Sequence, residues 1–188
     1  MQTLSRAAPA IRVQNRPRNH SNLKMASTQH QTDLKLDSAD RKLLDIVQAD
    51  ASLQVADIAE RIGLSQTSCW RRMQRLKEAG VITKNVMLVD RRKLNVGVTV
   101  FVSVRTNTHT QAWFDRFHAA IQAIPEVVEF YRMSGDVDYL LRVVVPDIAA
   151  YDRVYKRLIA GTSLFDVSSS FAMEQLKFTT ALPLRYAD

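Results

Sequence analysis

The sequence predicts an α+β chain: a three-helix unit with a short β-wing, then a β-α-β-β-α-β unit. Residues 38–79 hold three short runs of helical periodicity, punctuated by Gly63 and Gly80. After residue 95 the rhythm changes to alternating, valine-rich runs separated by two helical stretches. The charge changes with it. Residues 25–94 carry 12 basic and 9 acidic side chains, whereas residues 95–188 carry 9 and 10. The basic excess in the first half points to a polyanionic partner there.

The chain opens on "MQTLSRAAPAIRVQNRPRNHSNLK", with five basic residues and no acid. It has no apolar h-region and does not read as a secretory signal. Three readings stay open: an organellar transit peptide, a reading frame extended upstream of Met25, or a disordered basic arm that adds affinity for nucleic acid. Residues 1–35 are therefore set apart from the folded chain.

Asp37 precedes the first helix as an N-cap, with Asp40 three residues on. Ala39, Leu43, Leu44 and Val47 form one apolar stripe, which predicts a helix over Ser38–Gln48. In "VADIAERIG", Val55, Ile58, Ala59 and Ile62 share a face and Gly63 ends the helix. Gln54 is a poor cap. Ser65 caps a third helix that runs to about Ala79, and Gly80 stops it. Two helices joined by Gly-Leu-Ser are the pattern of a helix-turn-helix. "VITKNVMLVD" alternates and reads as the wing, giving a winged helix-turn-helix over residues 36–89. "RRKLNVG" reads as a linker, placed at 90–95.

Residues 96–183 read as a ferredoxin-like unit. Val96–Thr106 is a strand. "QAWFDRFHAAIQAI" is a helix with Trp113, Phe117, Ile121 and Ile124 on one side, ended by Pro125. "VVEFYRM" and "DYLLRVVV" are strands around an "SGD" turn. Pro146 opens the helix "DIAAYDRVYKRLIA", which Gly161 ends, and "VSSSFAMEQLKF" is the last strand. Such a sheet has helices on one face only, so a partner subunit is expected on the other.

Composition narrows the function classes. Hydrophobic residues make up 46% and charged residues 24%, as in a soluble globular protein. No apolar run approaches the roughly 18 residues needed to span a bilayer. A single cysteine, Cys69, excludes an internal disulfide and builds no zinc site alone. The four histidines are scattered, so neither a metal nor a cofactor is expected.

Cys69 can be a core hydrophobe, a sensor thiol or a ligand. On a helical wheel Met73 and Leu76 fall within about 40° of it, which favours the core. The opposite face then carries Thr67, Trp70, Arg71, Gln74 and Arg75. Such a face can simply be solvated. On the third helix of a helix-turn-helix it is instead the surface that enters a major groove. Arg can bond guanine and Gln adenine, and Ser65 with the helix N-terminus suits a phosphate. No acid interrupts the face before Glu78. The candidate DNA contacts are Ser65, Gln66, Thr67, Trp70, Arg71, Arg72, Gln74 and Arg75.

In "SGDVD", Gly-Asp is ordinary turn chemistry. The turn can also bind an amino acid, with Asp136 or Asp138 on the ammonium and backbone N–H groups on the carboxylate. Two acids this close also suit acid–base catalysis, but no nucleophile, metal set or phosphate loop accompanies them, and His118 is a lone helical histidine.

The chain resembles the Lrp/AsnC (feast/famine) family of transcriptional regulators. The likeness runs from Leu36 to about Pro183, through "LDSADRKLLDIVQADA", "IAERIGLSQTSCWRRMQRLKEAGVI", "MSGDVDYLLRVVVPD" and "SSFAMEQLK". It is similar in particular to a branch whose enterobacterial member answers to cysteine. The resemblance implies a cytoplasmic, nucleoid-associated, non-enzymatic regulator of double-stranded DNA. It also implies homodimers that assemble to octamers, with an amino acid bound between dimers. By that resemblance the effector positions fall on Gly135, Asp136, Val137, Asp138 and Tyr139, on Ile148, and on Ser170, Phe171 and Ala172. Ser169 and Ser170 stand where the family often has larger apolar residues, which favours a small or polar effector. The competing readings are a small ferredoxin-like dimeric enzyme and an amino-acid sensor that does not bind DNA.

Overall fold

The computed structural model of the chain describes residues 34–160 and 164–187. The basic leader through residue 33, and Gly161 as a helix stop, lie outside the described residues.

Helix α1 spans Ser38–Ala49 and starts on a reciprocal capping box. The Asp37 carboxylate accepts the Asp40 N–H at 2.8 Å, and the Asp40 carboxylate accepts the Asp37 N–H at 3.1 Å. Helix α2 spans Val55–Ile62, and Gln54 gives it no side-chain cap. It ends on Gly63 at φ +70°, a conformation that strains any residue with a Cβ. The Gly63 and Leu64 N–H groups turn back to the carbonyls of Glu60 and Ala59. Helix α3 spans Gln66–Glu78, and Ser65 Oγ accepts the Ser68 N–H at 3.2 Å. Leu36, Leu43, Leu44, Ile58, Ala59, Cys69 and Leu76 are buried. The predicted orientation of α3, with Cys69 inward, is therefore the observed one.

The second half follows the predicted order: β1 Val98–Arg105, α4 Gln111–Gln122, β2 Val127–Arg132, β3 Tyr139–Val145, α5 Ile148–Ile159 and β4 Asp166–Phe171. The strands form one antiparallel sheet in the order β2-β3-β1-β4. Strand alternation sends Val100, Val102 and Val104 of β1, and Tyr139, Leu141, Val143 and Val145 of β3, toward α4 and α5. Trp113, Phe117, Phe130 and Tyr139 pack there as an aromatic cluster with ring centroids 5.0–5.9 Å apart. Thr110 and Asp147 cap α4 and α5. The opposite face of the sheet carries Phe101, Tyr131, Leu140 and Val144, with no helix of the described residues over it. Phe101 and Tyr131 are exposed there.

Two predicted strands are absent or short. "VITKNVMLVD" forms no strand, and the last strand ends at Phe171 instead of running to Phe178. Both segments have the composition of strands, but a strand exists only with a ladder partner. Residues 83–89 and 173–180 make no backbone–backbone hydrogen bond among the described residues. The linker, by contrast, is ordered. The Leu94 and Val96 N–H groups bond the carbonyls of Asp90 and Arg91, and Asn95 closes the turn at φ +56°.

Phe117 has no solvent exposure and sits at the centre of the aromatic cluster. Phe117→Ala is expected to cost about 3–5 kcal/mol, read as a lowered midpoint in chemical denaturation.

Candidate nucleic-acid and effector interfaces

Helix α3 presents Gln66, Thr67, Trp70 and Arg71 to solvent, with Trp70 52% exposed. The first turn of α3 contains no acid, and its leading N–H groups are free of helix bonds by geometry. Ser65 is committed as the cap through its lone pair, which leaves its O–H to donate. Gln74 is half-buried. This end of the helix therefore combines hydrogen-bonding side chains, an aromatic ring, a cation and a positive helix dipole on one accessible surface.

Arg72 and Arg75 behave differently. The Arg72 guanidinium bonds Asp37 at 2.5 Å and Asp40 at 2.9 Å, and Arg75 bonds the other oxygen of Asp40. Asp40 has no solvent exposure. These arginines tie α3 to the start of α1: Arg72 is inward-held, and Arg75 is held at its tip with its stem half exposed. Sequence reasoning saw Asp40 only as a helix-end charge. Its position three and four residues before Leu43 and Leu44 places it on the buried stripe, a signal that it needs cationic partners. The cap N–H of Asp40, and then Arg72, hold the Asp37 carboxyl down at about 2. Burial pushes the Cys69 thiol up, opposite to what a reactive thiolate needs.

The predicted effector residues do not converge within one chain. Gly135–Tyr139 lies at the start of β3, beside Val104 and Val167. Ile148, Ser170, Phe171 and Ala172 lie near its far end, since Phe171 pairs with Val100 and Val100 with Val143. Six strand steps separate Tyr139 from Val145, roughly 20 Å. Gly135 takes φ +111°, a turn conformation suited to glycine. Asp138 accepts the Thr106 N–H at 2.8 Å, which fixes the hairpin to the end of β1. Asp136 is exposed and its carboxylate has no partner among the described residues. Tyr139 is buried in the helix-side core, and Phe171 meets the Tyr151 ring edge-on. Ser169 is bonded by the Tyr151 hydroxyl, whereas Ser170 faces the uncovered side of the sheet. Arg142 and Glu129 form an ion pair across that side at 2.5 Å, and Arg142 holds the Glu129 carboxyl below its usual range. His118 stacks loosely on Phe114 and Phe130, a packing role.

Comparison with known proteins matches both halves. Residues 36–83 fit a family model described as "Winged helix-turn-helix DNA-binding", and residues 99–182 fit one described as "Lrp/AsnC ligand binding domain". The chain is 48% identical over 150 residues to the glutamate uptake regulatory protein of Zymomonas mobilis, covering 80% of this chain and 92% of that protein. It is 45% identical to the DNA-binding transcriptional activator DecR of Escherichia coli, covering 79% and 99%. A crystal structure of an AsnC family regulator from Agrobacterium tumefaciens is 61% identical, with a TM-score of 0.78 over 80% of this chain and 99% of that one. A Neisseria meningitidis transcriptional regulator in complex with L-Met is 31% identical, with a TM-score of 0.76 over 80% and 98%.

The Asp37 carboxyl is lowered on folding, so its contribution is present above its ordinary value of 3.8 and is lost as pH falls toward about 2. Asp37→Asn is expected to destabilise the protein at pH 7. That deficit should shrink below pH 4 and vanish near pH 2, as read from denaturation curves across pH.

Proposed function

The chain belongs to the Lrp/AsnC family of transcriptional regulators, and we propose that it reads double-stranded DNA through α3 under control of a small amino-acid effector. The observation that carries this is the outward face of α3: Gln66, Thr67, Trp70 and Arg71 together, beside free helix N–H groups and without an acid before Glu78. Gln66 reaches base edges, Arg71 contacts bases and phosphates, and Ser65 with the first N–H groups receives a phosphate. Arg72 orients the helix, and the exposed stem of Arg75 lies along the phosphate side. The functional division is a DNA-binding domain over 36–89, a linker over 90–95 and an effector and oligomerisation domain over 96–183. The protein acts in the cytoplasm, at the nucleoid.

A second copy completes the molecule. Val86, Met87, Leu88 and Val89, and then Met173, Leu176 and Phe178, are all exposed on segments without ladder partners. An apolar surface of that extent marks an association site. The uncovered sheet face adds Phe101 and Tyr131. A homodimer, and an octamer built from it, covers these surfaces.

The effector site is shared in the same way. Each chain offers two half-sites at opposite ends of its sheet, so one half-site joins the other from a neighbouring copy at the dimer–dimer seam. Asp136 receives the ammonium, because Asp138 is already engaged. Ser170 and Ala172 leave room for a small side chain. Cysteine is the first candidate on family resemblance. The L-Met complex of the Neisseria relative supports the amino-acid class. Effector binding then favours one assembly and changes DNA affinity by linkage.

Two measurements test this reading. Binding to the DNA upstream of the protein's own gene should weaken steeply with salt, and Arg71→Ala should reduce the slope of log K against log[salt] by about 1. An unchanged slope and affinity would remove Arg71 from the interface. In a thermal-shift screen of amino acids, cysteine at 100 times its Kd should add about 2.7 kcal/mol, a shift of several degrees. No shift with any amino acid would count against the effector site.

A further inference from the structure

The chain after β4 crosses back to the DNA-binding unit. Ala172 donates its N–H to the Thr99 carbonyl at 2.9 Å at the sheet edge. Ten residues on, Leu182 meets Gln48 near the end of α1. The Gln48 carboxamide accepts the Leu182 N–H at 2.7 Å and donates to the Leu182 carbonyl at 3.3 Å. One side chain thus satisfies both backbone groups of one residue, as a neighbouring strand would. Arg41 donates to the Ala187 carbonyl, and the 3-10 turn Leu184–Tyr186 lies between these contacts, against α1. Arg41 and Gln48 are seven residues apart, two helical turns, so they share one stripe of α1.

We propose that Gln48 and Arg41 are positioning residues for DNA recognition: they strap the tail, residues 172–187, onto α1 and so fix the orientation of α3 relative to the sheet. Among the described residues, two tethers join the helical unit to the sheet. One is the segment 82–90, which follows the Ile82 N–H bond to Leu76 and reaches the sheet where Arg91 bonds Thr99. The other is the tail, which leaves the same residue, Thr99, through Ala172. Neither has internal backbone hydrogen bonds over 83–89 or 173–180. A single unladdered tether leaves the joint free to swing, and two that end on different parts of the helical unit restrict it. The restraint reaches α3 because Asp40 of α1 holds Arg72 and Arg75. A two-fold reader needs its two recognition helices at a fixed separation, and holding them there in advance lowers the ordering cost of binding.

This inference rests in part on the DNA-binding reading, so the test has one arm without DNA. Spin labels are placed at the exposed positions Glu78→Cys and Arg116→Cys, with Cys69 buried and unlabelled. Labelled chains are diluted into unlabelled protein so that only distances within a chain are read. The parent should give one narrow distance distribution. Arg41→Ala with Gln48→Ala should broaden it at least two-fold, with little change in thermal midpoint. Equal widths overturn the proposal. In the second arm the probe is the DNA upstream of the protein's own gene, with and without a 5-bp insertion between half-sites, about half a helical turn. The parent should lose at least ten-fold in affinity on insertion. The double variant should bind the original DNA more weakly and lose less than three-fold. An identical spacing dependence in both proteins overturns the proposal. Parent protein that binds neither DNA, with the distance result intact, overturns the DNA reading and leaves the strap.

Discussion

Asp40 is a carboxylate without solvent exposure, held between the guanidiniums of Arg72 and Arg75 on α3. A buried charge of this kind is tolerable only with partners, and removing one partner of such a pair costs on the order of 3–5 kcal/mol. Its other bond, to the Asp37 N–H, starts α1. The same oxygens therefore begin one helix and fix the angle of another. This explains why a face so rich in arginine is ordered: Arg72 and Arg75 are pulled inward, and the surface left for a ligand begins with Gln66, Thr67, Trp70 and Arg71. A recognition helix needs this arrangement, because its reading groups must be free and its own orientation must not be.

The sheet imposes the complementary constraint. Its order, β2-β3-β1-β4, puts the valine-rich strands in the middle with helices over one face. The other face carries a few apolar side chains and one ion pair, too little to be a core and too much for an ordinary surface. The unladdered segments before and after the sheet add more exposed apolar residues. The turn at Gly135–Asp138 and the Ser170–Ala172 segment lie toward opposite ends of β3, too far apart to meet within one chain.

Most of the fold was legible in the sequence because local chemistry dictates it. Asp37, Ser65, Gly63 and Gly80 act through their own backbone neighbours, and the alternation of Val98–Val104 has one reading in a sheet with one buried face. The inward position of Cys69 followed from helical period alone. The segments at 83–89 and 172–178 were misread as strands for the reciprocal reason: their composition is strand-like, but pairing is a property of two segments.

The sequence by itself thus determined the element order, the family, the outward face of α3 and the inward position of Cys69. Tertiary structure decided which cations on α3 are free, since Asp40 lies some thirty residues from Arg72 and Arg75, and nothing in local periodicity couples them. It also decided that Asp138 is engaged by the Thr106 N–H, that Ser169 meets Tyr151, and that the tail returns to Gln48 and Arg41. Each of these is a contact between residues distant in sequence, and distance in sequence carries no information on proximity until the chain is folded.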